Sequence, residues 1–277
     1  MRTMRFWLAL VIMGLAWPAL ADITITPTRV VMEPGTRDAV VTLRNPSDRE
    51  RVYRVSWAER EMTADGSVEP RAEPGPFAAS PHVRIAPRRV AVGPGQTQTV
   101  RLHLRPPADL PPGEYRSHLV LGLEPESEAS FIMGQEETPA EGVGFRLEAL
   151  LSFALPVIFR HGEGGEPQVA ISHVEPRTFE SRRGTEFGLL VSLEREGAWS
   201  SFGRVVAYQQ VDQNAPVQEI GYARDVAIYA EANQSRVMVP LRPDVTLQPG
   251  AWLRVTYEHQ GQRFGQVMAE RVFQMAP

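Results

Sequence analysis

The sequence predicts an all-β protein built from two β-sandwich domains. Three observations lead to this prediction. Alternating runs of apolar and polar residues recur along the chain, and Pro-Gly turns precede four of them. No stretch of a dozen residues has the 3.6-residue apolar period of an amphipathic helix. Short alternating runs separated by such turns are typical of β-sandwiches.

The first 21 residues are predicted to be a secretory signal peptide. Arg2 and Arg5 precede a mostly apolar stretch, and Ala19-Leu20-Ala21 is a small-residue cleavage site. The apolar stretch is short for a membrane span. We therefore expect the mature chain to begin near Asp22, to be exported and not to insert into the membrane after cleavage.

Composition excludes several classes of function. The chain has no cysteine, and all 29 of its basic residues are arginine. The formal net charge of −4 and the lack of a long basic tract argue against nucleic-acid binding. Nucleophile-elbow, phosphate-loop and zinc-protease motifs are absent, and the six histidines are scattered singly. We expect no catalytic residue, no metal site and no cofactor.

Four turns predict where strands begin. Each turn is followed by a run in which β-branched, aromatic and other apolar residues alternate with polar ones, as in a half-buried strand. The runs are AVVTLRN after Pro34-Gly35, TVRLHLR after Pro94-Gly95, YRSHLVLGL after Pro112-Gly113 and WLRVTY after Pro249-Gly250.

The alternating pattern continues over an unusually long run in the stretch GFRLEALLSFALPVIFR, residues 144–160. Strands commonly have about 3–10 residues, whereas a strand of this length would reach about 50 Å. The residues of one parity are all apolar: Phe145, Leu147, Ala149, Leu151, Phe153, Leu155, Val157 and Phe159. The sequence leaves open whether Phe153, Leu155 and Val157 belong to the core of the first domain or face a partner.

The segment HGEGGEP, residues 161–167, ends this run and is the predicted domain boundary, because glycine and proline interrupt the pattern before new strands begin at QVAISHV. The predicted organisation is a signal peptide over residues 1–21, a first domain over residues 22–161 and a second β-sandwich over residues 162–277.

Several of these runs resemble the PapD-like periplasmic chaperones of the chaperone–usher pilus pathway. The similar segments are ITITPTRVVMEPG, AVVTLRNPSD, VYRVSW, PHVRIAPRRVAVGPGQTQTVRL, LPPGEYRSHLVL and LPVIFRHG. GEYRSHL, LPVIFRHG and EGAWSSFG resemble the archaic, Csu-type branch of that family. The resemblance implies two immunoglobulin-like domains set at an angle around a cleft.

The resemblance also implies a function for the long strand. Such chaperones lend their last first-domain strand to pilus subunits that lack one, and pass the subunits to an outer-membrane usher. Main-chain bonds then supply affinity and alternate side chains fill pockets in the subunit. The donor residues implied here are Phe145, Leu147, Ala149 and Leu151. The same strand could also cap a second copy of the free chaperone.

The resemblance further implies a site for the subunit's C-terminal carboxylate. In the better-known branch, a first-strand arginine, here Arg29, acts with a lysine on the long strand, but the matching position is Pro156. Arg116 occupies a commonly acidic position, and we expect Arg101 to lie on the neighbouring strand. We predict that Arg101 and Arg116 form the anion site, with Arg29 contributing. The alternative is a water-facing role or a salt bridge to a second-domain acid.

Two other functions are compatible with two exported sandwiches. A pilus subunit or adhesin should carry an extra N-terminal donor strand, but the sandwich pattern begins within a few residues of the cleavage site. A carbohydrate-binding or hydrolytic module should place paired carboxylates beside an aromatic groove. Trp199, Trp252 and Tyr257 are candidates for that groove, but no acid pair accompanies them.

Overall fold

The computed structural model of this protein consists of β-strands. Among the residues that it describes there are seventeen strands and no α-helix, so the all-β prediction is confirmed. No helix long and apolar enough to cross a membrane occurs in this part of the chain. The described residues are 23–63, 65–125, 151–181, 184–212, 214–260 and 263–275.

In chain order, the strands are β1 (Thr24–Thr26), β2 (Val30–Met32), β3 (Asp38–Arg44), β4 (Arg51–Met62), β5 (Val68–Arg71), β6 (Val83–Ala86), β7 (Arg89–Val92), β8 (Thr97–Leu104), β9 (Gly113–Leu123), β10 (Ser152–His161), β11 (Gln168–Ser181), β12 (Gly184–Glu196), β13 (Ser201–Gln210), β14 (Gln218–Ile228), β15 (Gln234–Pro240), β16 (Trp252–His259) and β17 (Val267–Gln274).

The first domain is a sandwich of two sheets. One has the order β1-β3-β8-β6, and the other has the order β2-β10-β9-β4-β5, with β7 also paired to β4. Alternate side chains of both sheets point inward and form one apolar core. Its fully buried members include Val41, Leu43, Val100, Leu102, Leu119, Leu121, Val157 and Phe159.

The second domain repeats this arrangement with its own core. Its sheets have the orders β11-β12-β15 and β14-β13-β16-β17. The buried members of its core run from Ile171 to Tyr257, and none of them is shared with the first core. The chain is therefore two immunoglobulin-like β-sandwich domains. The strands change from one domain to the other between His161 and Gln168, within the predicted boundary segment.

The Pro-Gly turns lie where the sequence predicts them. Gly35, Gly95 and Gly250 have φ angles of 88°, 67° and 75°, a region that glycine enters without steric cost. Strands β3, β8 and β16 follow three of the turns, and β9 begins at Gly113 of the fourth. Turn chemistry therefore sets the spacing of these strands along the chain.

Strand β10 combines a core segment with a solvent-facing start. Leu155 and Val157 are buried in the first core, and Phe153 packs against it. The expectation that these residues could be core is therefore correct. Leu151, immediately before the strand and of the same parity, is 50% exposed. Phe145, Leu147 and Ala149 lie outside the described residues.

The hydrogen-bonding edges of β10 differ along its length. Strand β9 pairs with it antiparallel from Ser152 to His161. On its other side β2 pairs with it in parallel, but only over Val157–Phe159. Within the described residues, the stretch 152–156 thus has no strand partner on the β2 side, and its backbone groups there resemble those of an edge strand.

The two leucines of this strand region allow a matched test of the core. We expect Leu155→Ala to lower the free energy of unfolding by about 2–5 kcal/mol, because it leaves a cavity in a packed core. Leu151→Ala should change it by less than about 0.5 kcal/mol, since the side chain is largely in solvent. Urea titration monitored by circular dichroism measures both. Equal effects would contradict the placement of these residues.

Candidate functional site

A small apolar cluster joins the two domains. Met62 and Ile158 of the first domain pack with Tyr229 and Ala232 of the second. Val31 and Phe202 lie partly buried against them. We call the first-domain surface that carries Arg29, Val31, Arg60, Arg116, His118 and Ile158 the interdomain face. Strand register explains part of this grouping, because Arg116 lies directly opposite Ile158 on neighbouring strands.

A buried carboxylate links the domains beside this cluster. The Glu114 side chain is only 1% exposed, and its Oε2 accepts hydrogen bonds from Arg160 Nε at 3.1 Å and from the Ser200 backbone N–H at 2.9 Å. The Ser200 hydroxyl donates to the other carboxylate oxygen. Arg160 also donates to the Ser200 carbonyl at 3.2 Å and lies over the Trp199 ring. Both oxygens of the buried acid are therefore satisfied across the domain boundary.

Arg116 makes a second polar link. Its guanidinium forms an ion pair with Glu231 of the second domain and donates to the Arg60 carbonyl at 3.0 Å. It also stacks over the Tyr229 ring, 3.9 Å from the centroid. The side chain is 6% exposed. This is the salt bridge to a second-domain acid that the sequence left as the alternative to an anion site.

Arg101 does not lie beside Arg116, and the expectation that the two occupy paired strands is wrong. Arg101 is on β8, whose neighbours are β3 and β6, whereas Arg116 is on β9 in the other sheet. Val100 and Leu102 on either side of Arg101 point into the core, so Arg101 is exposed on the outer face of its sheet. The thickness of the sandwich separates the two guanidinium groups.

Arg29 lies on the interdomain face just before β2. Its guanidinium carbon is 4.1 Å from the centroid of the Phe202 ring. Burial raises the pKa of the nearby Tyr229 hydroxyl, and the positive charges of Arg116 and Arg29 oppose that rise. Among the described residues, no carboxylate forms an ion pair with Arg29. Arg29 is therefore a cation packed against the Phe202 ring at the domain junction.

His118 is a buried neutral group within this cationic surface. Its Nε2 lies 3.3 Å from Arg116 Nη1, so the unprotonated nitrogen accepts a hydrogen bond from the guanidinium. Burial, together with the smaller effects of the positive charges of Arg116 and Arg60, lowers the pKa of His118 to about 3. Protonation would place a third positive charge beside two others.

A cavity of about 470 Å³ lies between the domains. Its polar lining includes Arg60, Arg116 and Glu231, and Phe77 forms part of its apolar wall. Four of the charged side chains that line it form two ion pairs, Arg71 with Glu61 at 3.1 Å and Arg116 with Glu231. In the described part of the chain, no group of histidine and acidic side chains could hold a metal ion.

The aromatic groove considered for a carbohydrate-binding module is not formed. Tyr257 is fully buried in the second core. Trp199 packs under Arg160 at the domain junction, while Trp252 is 39% exposed at the start of β16. The three rings thus belong to different environments.

Sequence reasoning missed the residues that join the domains, Glu114, Arg160, Ser200 and Glu231. Two of them carried a signal. Glu114 and Arg160 occupy positions in alternating apolar strands where burial of a charge is unusual. Their partners Ser200 and Glu231 lie in loops, where serine and glutamate are ordinary residues, and no pattern distinguishes them.

Comparison with known families finds a match to part of the first domain. Residues 22–120 match the family model described as "Pili and flagellar-assembly chaperone, PapD N-terminal domain". This match confirms the PapD-like resemblance for that part of the chain. A search of curated proteins found no match.

Solved chaperone structures show similar chain courses at low identity. They include the CupB2 chaperone of Pseudomonas aeruginosa (12% identity, TM-score 0.45, 91% of this chain and 99% of that one). The CsuC–CsuE chaperone–tip adhesion subunit complex of Acinetobacter baumannii is similar at 10% identity and TM-score 0.44, over 92% and 99% of the two chains. The class 5 fimbriae chaperone CfaA is similar at 11% identity and TM-score 0.44, over 92% and 100%. At these scores the likenesses say nothing about function, and the archaic branch stays a prediction.

The low pKa of His118 predicts how stability changes with pH. Between about pH 6.5 and pH 3 the unfolded chain binds a proton that the folded chain excludes, so folding stability falls as the pH falls through this range. We expect His118→Gln, which keeps a hydrogen-bond acceptor but cannot be protonated, to lose on the order of 2 kcal/mol less stability between pH 7 and pH 4.5.

Urea titrations at the two pH values measure this difference. His103→Gln, which removes an exposed histidine of β8, controls for the loss of an imidazole. If His118→Gln and the unmodified protein lose equal stability on acidification, His118 is not held neutral in the folded state.

Proposed function

We propose that this chain, whose first domain matches the PapD N-terminal domain, is a periplasmic chaperone that stabilises pilus subunits and delivers them to an outer-membrane usher. The single observation that supports this most is the state of β10. Its apolar parity continues from buried Leu155 and Val157 to exposed Leu151, and within the described residues the stretch 152–156 pairs only with β9.

Strand addition by a subunit would explain the arrangement of β10. A subunit strand placed beside residues 152–156 would satisfy backbone groups that have no strand partner among the described residues. Leu151, together with Phe145, Leu147 and Ala149, would enter the subunit's incomplete core. Each large apolar side chain buried in this way contributes roughly 1.5–3 kcal/mol before ordering costs. The work requires no ATP and no cofactor, because binding itself supplies the free energy.

We assign the subunit's terminal carboxylate to Arg29. The sequence-based prediction gave that role chiefly to Arg101 and Arg116, but Arg116 already pairs with Glu231 and Arg101 faces the other side of the sandwich. Arg29 directly precedes β2, the parallel neighbour of β10. A carboxylate arriving along the β2 side of residues 152–156 would therefore meet this guanidinium, whose planar fork suits it.

Substitutions at the exposed end of the donor segment should abolish capture without unfolding the chaperone. We expect Leu147→Asp with Leu151→Asp to lower the yield of subunit complex at least tenfold, because a charge cannot enter the subunit's core. The measurement is co-purification with the secreted subunit encoded beside the chaperone gene, at equal chaperone level. Val217→Asp, at an exposed residue of the second domain, is the matched control. Undiminished capture by the double variant would refute donation.

The carboxylate assignment is tested by three alanine substitutions in the same assay. Arg29→Ala should weaken capture about ten- to a hundredfold, the loss expected for one charge-assisted hydrogen bond of 1.5–3 kcal/mol. Arg101→Ala should have no effect. Arg116→Ala should lower stability, because it removes the cation that pairs with Glu231, so its capture is compared per folded molecule. If Arg101→Ala alone removes capture, the site lies where the sequence first placed it.

A further inference from the structure

Two loops of the second domain make polar contacts with the first. Residues 197–200 provide Ser200, which binds Glu114 and accepts from Arg160. Residues 229–233 provide Glu231, which binds Arg116 and accepts the Met62 backbone N–H at 3.2 Å. The loops also contact each other, because the Ala230 N–H donates to the Ser200 hydroxyl at 2.9 Å. The fit between the domains therefore depends on the shape of both loops.

One side chain bridges these two loops. Arg195 stands near the end of β12 and is 3% exposed. Its guanidinium donates four hydrogen bonds, all to loop carbonyls. The acceptors are Gly197 at 2.6 Å and Trp199 at 2.9 Å in the first loop, and Ala230 at 2.9 Å and Ala232 at 3.2 Å in the second.

The position of Arg195 on its strand is unusual for a charge. Leu189, Val191 and Leu193 precede it at the same parity and are fully buried in the second core. A cation at the end of such a row loses hydration, and only several well-placed acceptors offset that loss. Burial lowers the pKa of Arg195, while the charges of Glu114 and Glu231, both at the domain junction, oppose that effect.

We infer that Arg195 is a positioning residue for the interdomain face: it holds both second-domain loops in the shape that receives Glu114 and Arg116. Among the described residues it forms no hydrogen bond with the first domain, so it acts through Ser200 and Glu231. Arginine is required because its rigid fork reaches four carbonyls at once, whereas a lysine ammonium has three donors at a single point.

The lack of cysteine in the chain allows a direct test of domain geometry. Gly66, at the tip of the β4–β5 hairpin, approaches β15 so closely that an added Cβ would lie 2.6 Å from Ser235 Oγ. Gly66→Cys with Ser235→Cys therefore forms a reporter pair across the domain boundary. The added Cβ would also lie 2.9 Å from the Arg236 backbone oxygen, and φ at Gly66 is +89°. Both sources of strain are present in every protein compared, so the reference is the disulfide yield of the reporter pair with Arg195 in place.

Arg195→Lys and Arg195→Gln are introduced into this reporter background, and disulfide yield is measured after mild oxidation. We expect the yield to fall at least fivefold in both, while far-UV circular dichroism keeps its β signature. Arg271→Lys is the control, because Arg271 also donates to two carbonyls within the second domain, those of Ile171 and Ser172, away from both loops. It should leave the yield unchanged.

Three results would overturn the inference. An unchanged yield in folded Arg195 variants would show that the loops keep their shape unaided. An equal fall in Arg271→Lys would show a general effect of losing a guanidinium from this domain. Unfolding of both Arg195 variants would make the residue part of the second domain's own stability rather than a positioning group.

The expected effect of Arg195 on subunit capture rests on the proposed function. The positioning role of Arg195 and the proposed function can nevertheless fail separately. We expect subunit complex to fall together with disulfide yield in Arg195→Lys. A fall in disulfide yield with undiminished capture would support the positioning role of Arg195 and count against the interdomain face as part of the subunit site.

Discussion

Glu114 imposes the constraint on which the relation between the two domains depends. A carboxylate removed from water costs several kcal/mol unless its oxygens are bonded within the protein. Here the bonds come from Arg160 on the first domain's last strand and from Ser200 in a loop of the second. Neither domain satisfies the acid alone. In the domain arrangement that satisfies Glu114, Ile158 also packs on Tyr229 and Arg116 pairs with Glu231.

The fold could be predicted largely from local chemistry. Alternation identified strands such as β8 and β10, and positive-φ glycines after prolines set where β3 and β16 begin. Sheet membership could not be read in the same way. Consecutive strands pair in roughly two-thirds of cases, but β8 and β9 lie in opposite sheets. The change of sheet between β8 and β9 depends on long-range packing of the core. It is the reason why Arg101 is remote from Arg116.

The candidate site was less predictable than the fold, for a related reason. Leu151 could be named because the parity of the long alternating run is visible in the sequence, and Arg29 because the resemblance of the first segment implies it. The residues between the domains are defined by what the other domain presents, which no local pattern contains. Arg195 is an intermediate case. Its same-parity position after Leu189, Val191 and Leu193 indicates a buried cation that needs hydrogen-bond acceptors. The four carbonyls that accept from it can be identified only in the folded structure.

The parallel pairing of β2 with β10 also bears on how the first domain reaches its folded state. Val30 pairs with Val157, about 130 positions later in the chain. Closing so long a loop is entropically costly, and contacts of high sequence separation slow folding. As the chain emerges from its N-terminus, β2 therefore cannot pair with β10 until nearly all of the first domain has emerged. The time for which the first domain stays incompletely folded is thus set by its topology rather than by any single contact.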